Sequence, residues 1–264
     1  MLNCVSNLAW KKKEEKKALK ILKKNKIKFL EFAPNLLLNN RFNIKEIKKV
    51  KRKYAKYGLK PFSMQSVLYN VKDAFVFGSK FQNHTFISEL KKKVILAKKL
   101  GVKIIIFGSP VSKKRFNKNR ALLDKIFIKT FNIISTFCRQ NNVTICLEPN
   151  PKIYKSEYLL NTKEAIMLIK KINKKNVLLN FDLGASLANK ENLEKLVKNN
   201  ISYIGHVQIS VPKLKNLANY KKEIKKFLKV LKKNNYRKAI SMEVLAQKNK
   251  NLINLEKNIK IIND

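Results

Sequence analysis

Eight short apolar segments, separated by longer lysine-rich segments, constrain the fold of this chain more than any other feature. Their sequences are LNCVSN, IKFLEF, FSMQSVL, VKIIIFG, VTICLE, VLLNFD, YIGHVQI and AISMEV. They are nearly continuous runs of apolar residues, which is typical of parallel strands covered on both faces. The segments between them carry apolar residues at helical spacing. This pattern predicts an α/β fold in which eight strand–helix units close into a (β/α)8 TIM barrel.

An open, doubly wound sheet is the alternative arrangement of alternating strands and helices. No GxGxxG segment follows any of the predicted strands, so the sequence lacks the dinucleotide-binding signature of that fold. The 264 residues show no linker, repeat boundary or low-complexity segment, and 45% of them are hydrophobic, which is enough for one core. We therefore predict one domain that spans residues 1–264.

Two of the predicted helices carry clear end signals. The segment FISELKKKVILAKKL is followed by Gly101, a residue that tolerates the left-handed backbone of a C-terminal cap. The segment NTKEAIMLIKKI begins at Asn161, with Glu164 three residues further on, as in a capping box. His84 precedes the first of these segments and is interpreted as a cap or surface residue.

The charge of the chain is strongly positive, with 60 Lys and Arg against 17 Asp and Glu and a formal net charge of +43. Such a charge attracts phosphates, nucleic acid and anionic membrane surfaces. The excess is nearly all lysine, spread over every predicted helix of a chain with only 6 glycines, which indicates compositional drift in an A+T-rich genome. No coherent motif interleaves aromatic with basic residues to stack bases. Nucleic acid is therefore not the expected partner.

The cysteines and the apolar runs bear on the location of the protein. Cys4, Cys138 and Cys146 form no CxxC pair and are odd in number, which favours a reducing cytoplasm over a disulfide framework. The first residues are apolar and the next basic, the reverse of a signal peptide. No apolar run approaches the roughly 18 residues of a membrane span. We expect a soluble cytoplasmic protein and leave open whether it forms a homo-oligomer.

Most of the acidic residues fall in the predicted helices, but Glu31, Glu148, Asp182 and Glu243 lie at or near the C-terminal ends of predicted strands. In a (β/α)8 barrel, that end carries the active site. His206, in YIGHVQIS, belongs to the seventh strand. Glu148, Asp182, His206 and Glu243 thus follow one another on strands five to eight. Their side chains are expected to converge at the mouth of the barrel.

Three crowded carboxylates would repel one another and raise one another's pKa values unless a cation lay among them. One divalent metal ion bound by Glu148, Asp182, His206 and Glu243 would remove that conflict. Mn²⁺, Mg²⁺, Co²⁺, Fe²⁺ and Zn²⁺ all suit such a set, and the sequence does not choose among them. Taken singly, each acid is equally well explained by an ion pair with a lysine, and His206 by a hydrogen bond in the core. The hypothesis depends on the four together.

The segments ICLEPNPKIY, LLNFDLGASL, GHVQIS and AISMEVL resemble the metal-site segments of the xylose-isomerase-like TIM barrels. This superfamily contains sugar and sugar-phosphate isomerases and epimerases, dehydratases and endonuclease IV. SMQSVLY and IIIFGSP resemble further strand segments of its bacterial sugar phosphate isomerase/epimerase members, so the resemblance covers nearly the whole chain. It implies a metal held by Glu148, Asp182, His206 and Glu243, with Glu148 and Glu243 also acting as the catalytic acid and base.

The chain departs from the pattern of its relatives at three places. Tyr154 stands near the place of a further glutamate of the ketose 3-epimerases, and Ala185 stands where they have a histidine after the aspartate. Gln208 replaces the second histidine of the HxH pair that many relatives carry on strand seven. A free ketose is therefore not the expected substrate. The residues expected to bind substrate at the mouth are Glu31, Gln65, Asn150, Tyr154, Gln208 and Ser210, with Arg115 as a bidentate partner for a phosphate or carboxylate.

The leading hypothesis is a metal-dependent sugar or sugar-phosphate isomerase or epimerase that moves protons next to a carbonyl. Its partner would be a small-molecule carbohydrate or sugar phosphate. One alternative is an abasic-site endonuclease, which the positive charge favours. Against it, the chain has only two histidines, His84 and His206, to bind the metals of such an enzyme. The other alternative is a non-catalytic barrel that keeps a metal for stability.

Overall fold

The computed structural model describes residues 2–38, 43–247 and 249–263. Its eight strands are all parallel and form a closed barrel, in which each strand pairs with the next and the last pairs with the first. The strands are β1 Leu2–Ser6, β2 Phe29–Phe32, β3 Lys60–Met64, β4 Ile104–Phe107, β5 Thr144–Leu147, β6 Val177–Asp182, β7 Ile204–Ile209 and β8 Ala239–Met242. The predicted (β/α)8 TIM barrel is confirmed.

The helices surround the barrel. In the described residues they are α1 Glu15–Lys24, α2 Pro34–Leu37, α3 Ile44–Ala55, α4 Lys80–Leu100, α5 Arg120–Gln140, α6 Thr162–Ile172, α7 Leu183–Ala188, α8 Leu193–Asn200, α9 Lys221–Lys233 and α10 Asn251–Asn263. None of the helices in these ranges is both long and apolar enough to cross a membrane.

Both predicted helix ends are capped, although the Glu164 carboxylate accepts the Leu160 N–H and not the Asn161 N–H of a capping box. Gly101 ends α4 in the left-handed region, with φ +81°, and the Asn161 side chain accepts a hydrogen bond from the Glu164 N–H of α6 at 2.9 Å. The helix α4 begins at Lys80, behind the cap Ser79, so His84 lies inside the helix and does not precede it. Its side chain is exposed, which confirms the interpretation as a surface residue. The predicted extent of the third strand was wrong. The strand β3 ends at Met64, because Ser66 has φ +52° and breaks the extended run.

Side chains of the strands alternate between two environments. Residues such as Ile105 and Leu147 pack outward in the main core beneath the helices. The opposite set, which includes Ile106 and Cys146, forms a small separate apolar cluster inside the barrel. Further along the same inward-facing rows, towards the C-terminal ends of the strands, the residues become polar: Asn180 and Asp182 on β6, and His206 and Gln208 on β7. The barrel therefore places a polar layer directly beneath its mouth.

Candidate active site

Glu31 is the centre of a buried hydrogen-bond network inside the barrel. Its side chain is fully buried at the end of β2. Donors from three other strands and the loop after β3 converge on its carboxylate: His206 Nε2 at 2.8 Å, Ser63 Oγ at 2.6 Å, Gln208 Nε2 at 2.9 Å, Ser241 Oγ at 3.1 Å and Gln65 Nε2 at 3.4 Å. Burial alone would raise the pKa of Glu31, but the contacts with His206 and the other donors outweigh it and lower the pKa. Glu31 is thus held as a carboxylate.

His206 belongs to this network. An ionised carboxylate can only accept, so Nε2 of the fully buried imidazole carries the hydrogen in its contact with Glu31. In the pairing of β6 with β7, His206 lies beside Asn180, whereas Gln208 lies beside Asp182. His206 is therefore one inward-facing position deeper than Asp182. Its Nδ1 atom and the Oδ1 atom of Asn180 have no hydrogen-bond partner among the described residues.

Glu148, directly after β5, lies at the mouth above this layer. Each oxygen of its carboxylate accepts an amide hydrogen, Oε1 from Asn150 Nδ2 at 2.8 Å and Oε2 from Asn180 Nδ2 at 2.9 Å. Burial, followed by the charge of Asp182, raises the pKa of Glu148 to about 7, although Lys113 and the two amides oppose the shift. A carboxyl group with this pKa exchanges its proton near neutral pH.

Asp182 and Glu243 are the other two acids of the mouth. Asp182 caps α7 by accepting the Ala185 N–H, and it accepts the Ser210 hydroxyl at 2.7 Å. Burial raises the pKa of Asp182 to about 6, against the effect of these donors. Burial also raises the pKa of Glu243 well above its ordinary value, and the charges of Asp182, Glu148 and Glu31 add to the rise. The three acids therefore repel one another.

Gly184 shows how closely this region is packed. A Cβ atom on Gly184 would lie 2.7 Å from the backbone carbon of Val211, and it would also meet the Ser210 hydroxyl that holds Asp182. The Val211 backbone cannot move aside to relieve this contact, whereas a flexible side chain could. We therefore expect Gly184→Ala to lower the free energy of unfolding by about 1–3 kcal/mol, as overpacking does, measured by denaturant unfolding. A loss below about 0.5 kcal/mol, typical of a neutral surface change, would contradict the tight packing.

The structure brings most of the predicted substrate-binding residues to the acids. Asn150 contacts Glu148, Ser210 contacts Asp182, and Gln65 donates to Glu31 and lies near enough to Glu243 to oppose the rise of its pKa. Gln208 lies in the layer below the mouth, where it donates to Glu31 and accepts from Asn180. The Tyr154 hydroxyl accepts the Lys213 N–H at 2.9 Å, and burial together with the charges of Asp182, Glu243 and Glu148 raises its pKa to about 12.

Arg115 differs from the sequence-based expectation. It is exposed, its N–H donates to Glu157, and its guanidinium donates to the Lys118 carbonyl at 3.1 Å. These contacts stabilise its own loop and do not reach the acids. The guanidinium bonds to a carbonyl of the same loop, a local contact that the sequence does not reveal.

Sequence reasoning missed two residues that contact Glu148. Lys113 is fully buried, and its ammonium donates to Asn150 Oδ1 at 2.7 Å and to the Glu148 carbonyl at 3.3 Å. Burial lowers the pKa of Lys113 to about 7, against the charges of Glu148 and Glu164. Among 60 cationic residues, one lysine gives no signal. Asn180 could have been identified from the sequence, because VLLNFD places a polar residue inside an apolar strand.

A cavity of about 1110 Å³ lies on the same side of the barrel as the acids. The loops after β1, β2, β3, β7 and β8 contribute to its lining, as does α4; Trp10, Tyr69, Lys12 and Lys92 are among the lining residues. It also contacts Ser66, which follows Gln65, and Ala246, three residues after Glu243. The cavity is therefore adjacent to the mouth and large enough for a small-molecule ligand.

The fold and the polar mouth define a (β/α)8 barrel whose candidate site lies at the C-terminal ends of its strands. Residues 19–262 match the model of the family described as Xylose isomerase-like TIM barrel, and the chain belongs to that family. No curated protein matches the chain by sequence.

Solved structures with this fold cover nearly the whole chain. The 3-keto-D-glucoside 4-epimerase YcjR from E. coli has a TM-score of 0.81 at 14% identity, covering 100% of this chain and 99% of that chain. An AP endonuclease, family 2, from Brucella melitensis has 0.77 at 18% identity, with 97% of each chain covered. The IOLI protein with a binding zinc atom has 0.71 at 16% identity, covering 100% and 95%. At these identities the likeness shows the fold alone.

Proposed function

We propose that this protein is a sugar or sugar-phosphate isomerase or epimerase that moves protons next to a carbonyl through Glu148 and Glu243. The observation that carries the proposal is the pair of acids at the mouth whose pKa values burial and mutual repulsion raise, that of Glu148 to about 7. Such groups give and accept protons near neutral pH. Membership of the family and the epimerase fold relatives support the reaction class.

The residues of the chain divide the work as follows. Glu148, whose pKa burial raises to about 7, removes the carbon-bound proton, and Glu243, whose pKa is also raised, returns one. The amides of Asn150 and Asn180 hold the Glu148 carboxylate from both sides and stabilise its charged form. The adjacent cavity, whose lining does not include the acids of the mouth, would hold a group attached to the reacting carbohydrate.

A divalent cation fits the three acids of the mouth, because it would relieve the repulsion that raises their pKa values. Glu148, Asp182, Glu243 and the Nδ1 atom of His206, unpartnered among the described residues, would hold it, and it would polarise the substrate carbonyl and a neighbouring hydroxyl. In the described residues, no three His, Cys, Asp or Glu side chains already stand together as a metal-ligand group. Three carboxylates with one imidazole nitrogen suit all of the predicted ions, Mn²⁺, Mg²⁺, Co²⁺, Fe²⁺ and Zn²⁺.

His206 remains part of the proposed ligand set. Because Nε2 donates its hydrogen to Glu31, the lone pair of Nδ1, which has no hydrogen-bond partner among the described residues, is left for a metal. We expect His206→Gln, Asp182→Asn and Glu148→Gln each to lower the affinity for Mn²⁺ by about tenfold or more. Titration of Mn²⁺ followed by electron paramagnetic resonance measures this. An unchanged affinity in His206→Gln would exclude His206 as a ligand, and no binding by the wild type would end the metal proposal.

The reaction class is tested by hydrogen exchange. The wild-type protein is treated with a chelator, restored with one metal at a time, and incubated with a panel of sugars, sugar phosphates and keto-glycosides in deuterated water. We expect deuterium to appear at a carbon next to the carbonyl of at least one compound. Failure with the whole panel and every metal would contradict an isomerase, and a metal that raises only the melting temperature would favour a non-catalytic barrel.

An abasic-site endonuclease is the second candidate, favoured by the net charge of +43 and by the Brucella structure titled AP endonuclease. The histidines weaken it: His84 is exposed on α4, which leaves His206 as the one histidine near the acids in the described residues. Nicking of duplex DNA that contains an abasic site, with added Zn²⁺ or Mn²⁺, would establish this activity. We expect no nicking above the background of a Glu148→Gln variant.

A further inference from the structure

Lys113 is an unusual lysine for this chain. It ends a short 3-10 turn, Val111–Lys113, that follows β4, and it is fully buried, whereas the next residue, Lys114, is exposed. Burying an ammonium group costs free energy unless hydrogen bonds compensate for it. Here the compensating acceptors are Asn150 Oδ1 at 2.7 Å and the backbone carbonyl of Glu148 at 3.3 Å. Both belong to the segment that carries the proposed base.

The ammonium determines which way the Asn150 amide faces. An ammonium group donates only, so the side of the amide that meets Lys113 has to be its oxygen. The NH₂ group is then directed to the other side, where Nδ2 donates to Glu148 Oε1 at 2.8 Å. If the amide were turned around, its NH₂ group would face the ammonium, donor against donor. Its oxygen would then face the Glu148 carboxylate, acceptor against acceptor. In its ammonium form, Lys113 therefore prevents the flip through its contact with Asn150 Oδ1.

The two oxygens of Glu148 are held by separate sets of residues. Oε2 accepts from Asn180, which also donates to Gln208 and so connects to the Glu31 network. Oε1 depends on Asn150. Gly108 makes room on this side, because a Cβ atom there would lie 2.6 Å from Glu148 Oε1 and 3.3 Å from Asn150 Nδ2.

We propose that Lys113 is a positioning residue, whose buried ammonium fixes the Asn150 amide and, through it, the orientation of the Glu148 carboxylate. This inference rests on the proposed function for its catalytic meaning, but the contact between Lys113, Asn150 and Glu148 can be tested without a substrate.

The first test is nuclear magnetic resonance of the protein alone, which reports the side-chain amide of Asn150. We expect two distinct, slowly exchanging Nδ2 protons in the wild type, in Lys113→Arg, which keeps the charge, and in the control Lys114→Met. In Lys113→Met we expect these protons to exchange at least about tenfold faster. Unchanged Asn150 signals in a folded Lys113→Met variant would overturn the proposal, as would equal disruption by Lys113→Arg and Lys113→Met.

The second test uses deuterium exchange with whichever compound the panel identifies. Lys113→Met and Asn150→Ala are each expected to lower kcat about tenfold to a hundredfold with KM changed less than about threefold, as misplacement of a reacting group does. The double variant is expected to be no worse than the worse single variant, because both changes break the same connection. Additive losses would overturn the proposal.

If Lys113→Met does not fold, Asn150→Asp takes its place. It keeps an acceptor for the ammonium and removes the donor to Glu148, so we expect a folded protein with the same loss in kcat; full activity would overturn the proposal. If no compound of the panel exchanges deuterium, the proposed function is contradicted. The nuclear magnetic resonance test of the contact between Lys113, Asn150 and Glu148 is unaffected by that outcome.

Discussion

Glu31→Ala is expected to lower the free energy of unfolding by about 3–5 kcal/mol, the cost of removing one partner of a buried charged network. The substitution leaves His206, Ser63, Gln208 and Ser241 without the acceptor that they share in the wild type. Glu31→Gln should cost less, because its amide oxygen still accepts. Urea unfolding at neutral pH measures both. The matched control is Glu194→Ala, which breaks an exposed contact with Lys233 and should cost at most about 1 kcal/mol.

The pH dependence of the stability difference between the wild type and Glu31→Gln gives an independent check. The folded state lowers the pKa of Glu31, so its contribution to stability is present above the pKa of the unfolded chain, about 4.3, and is lost as the pH falls through the folded value. The stability difference between the wild type and Glu31→Gln should therefore shrink as the pH falls below about 4. A difference that stays constant, or a cost of Glu31→Ala below about 1 kcal/mol, would contradict the role of Glu31.

Glu148→Gln and Glu243→Gln are each expected to lower kcat for deuterium exchange by about 10²–10⁴-fold, the typical contribution of a general acid or base. The amide keeps the shape of the side chain but cannot take up or release the proton. The control is Glu194→Gln on the exposed face of α8, which should leave kcat unchanged. Exchange that persists at the wild-type rate in both variants would show that neither acid transfers the proton.

Glu148 is also expected to lower the stability of the folded protein above neutral pH. The folded state raises the pKa of Glu148 to about 7, so its contribution to stability is full below the unfolded pKa of about 4.3 and is lost as the pH rises through 7. In the presence of a chelator at about pH 8, Glu148→Gln should therefore melt at a higher temperature than the wild type. The difference should vanish near pH 4. A Glu148→Gln variant that is less stable than the wild type at pH 8 would contradict the raised pKa.

The barrel and the three acids of its mouth could be predicted because their signals are local. A run such as VLLNFD shows the strand, its burial on both faces and the acid at its end within a few residues. The parallel order of the strands then brings Glu148, Asp182 and Glu243 to the same end of the barrel. Their role as metal ligands stays a prediction.

The depth of each side chain could not be predicted, because it depends on pairing between distant strands. His206 and Gln208 both face inward from β7, and the register shift between Leu179 and Asn180 decides which of them lies beside Asp182. The burial of Lys113 has the same origin. Its loop folds against the segment after β5, 35 residues further along the chain, and nothing near Lys113 in the sequence indicates this contact.

The hydrogen bonds of Glu31 also determine when the barrel can be completed. Two of its partners, His206 and Ser241, lie 175 and 210 residues further along the chain. During synthesis Glu31 emerges early and stays hydrated until the last two strands arrive, because an ionised carboxylate cannot leave water without its donors. The cylinder therefore closes and the interior beneath its mouth assembles in one late event. That event requires contacts between residues separated by nearly the whole chain.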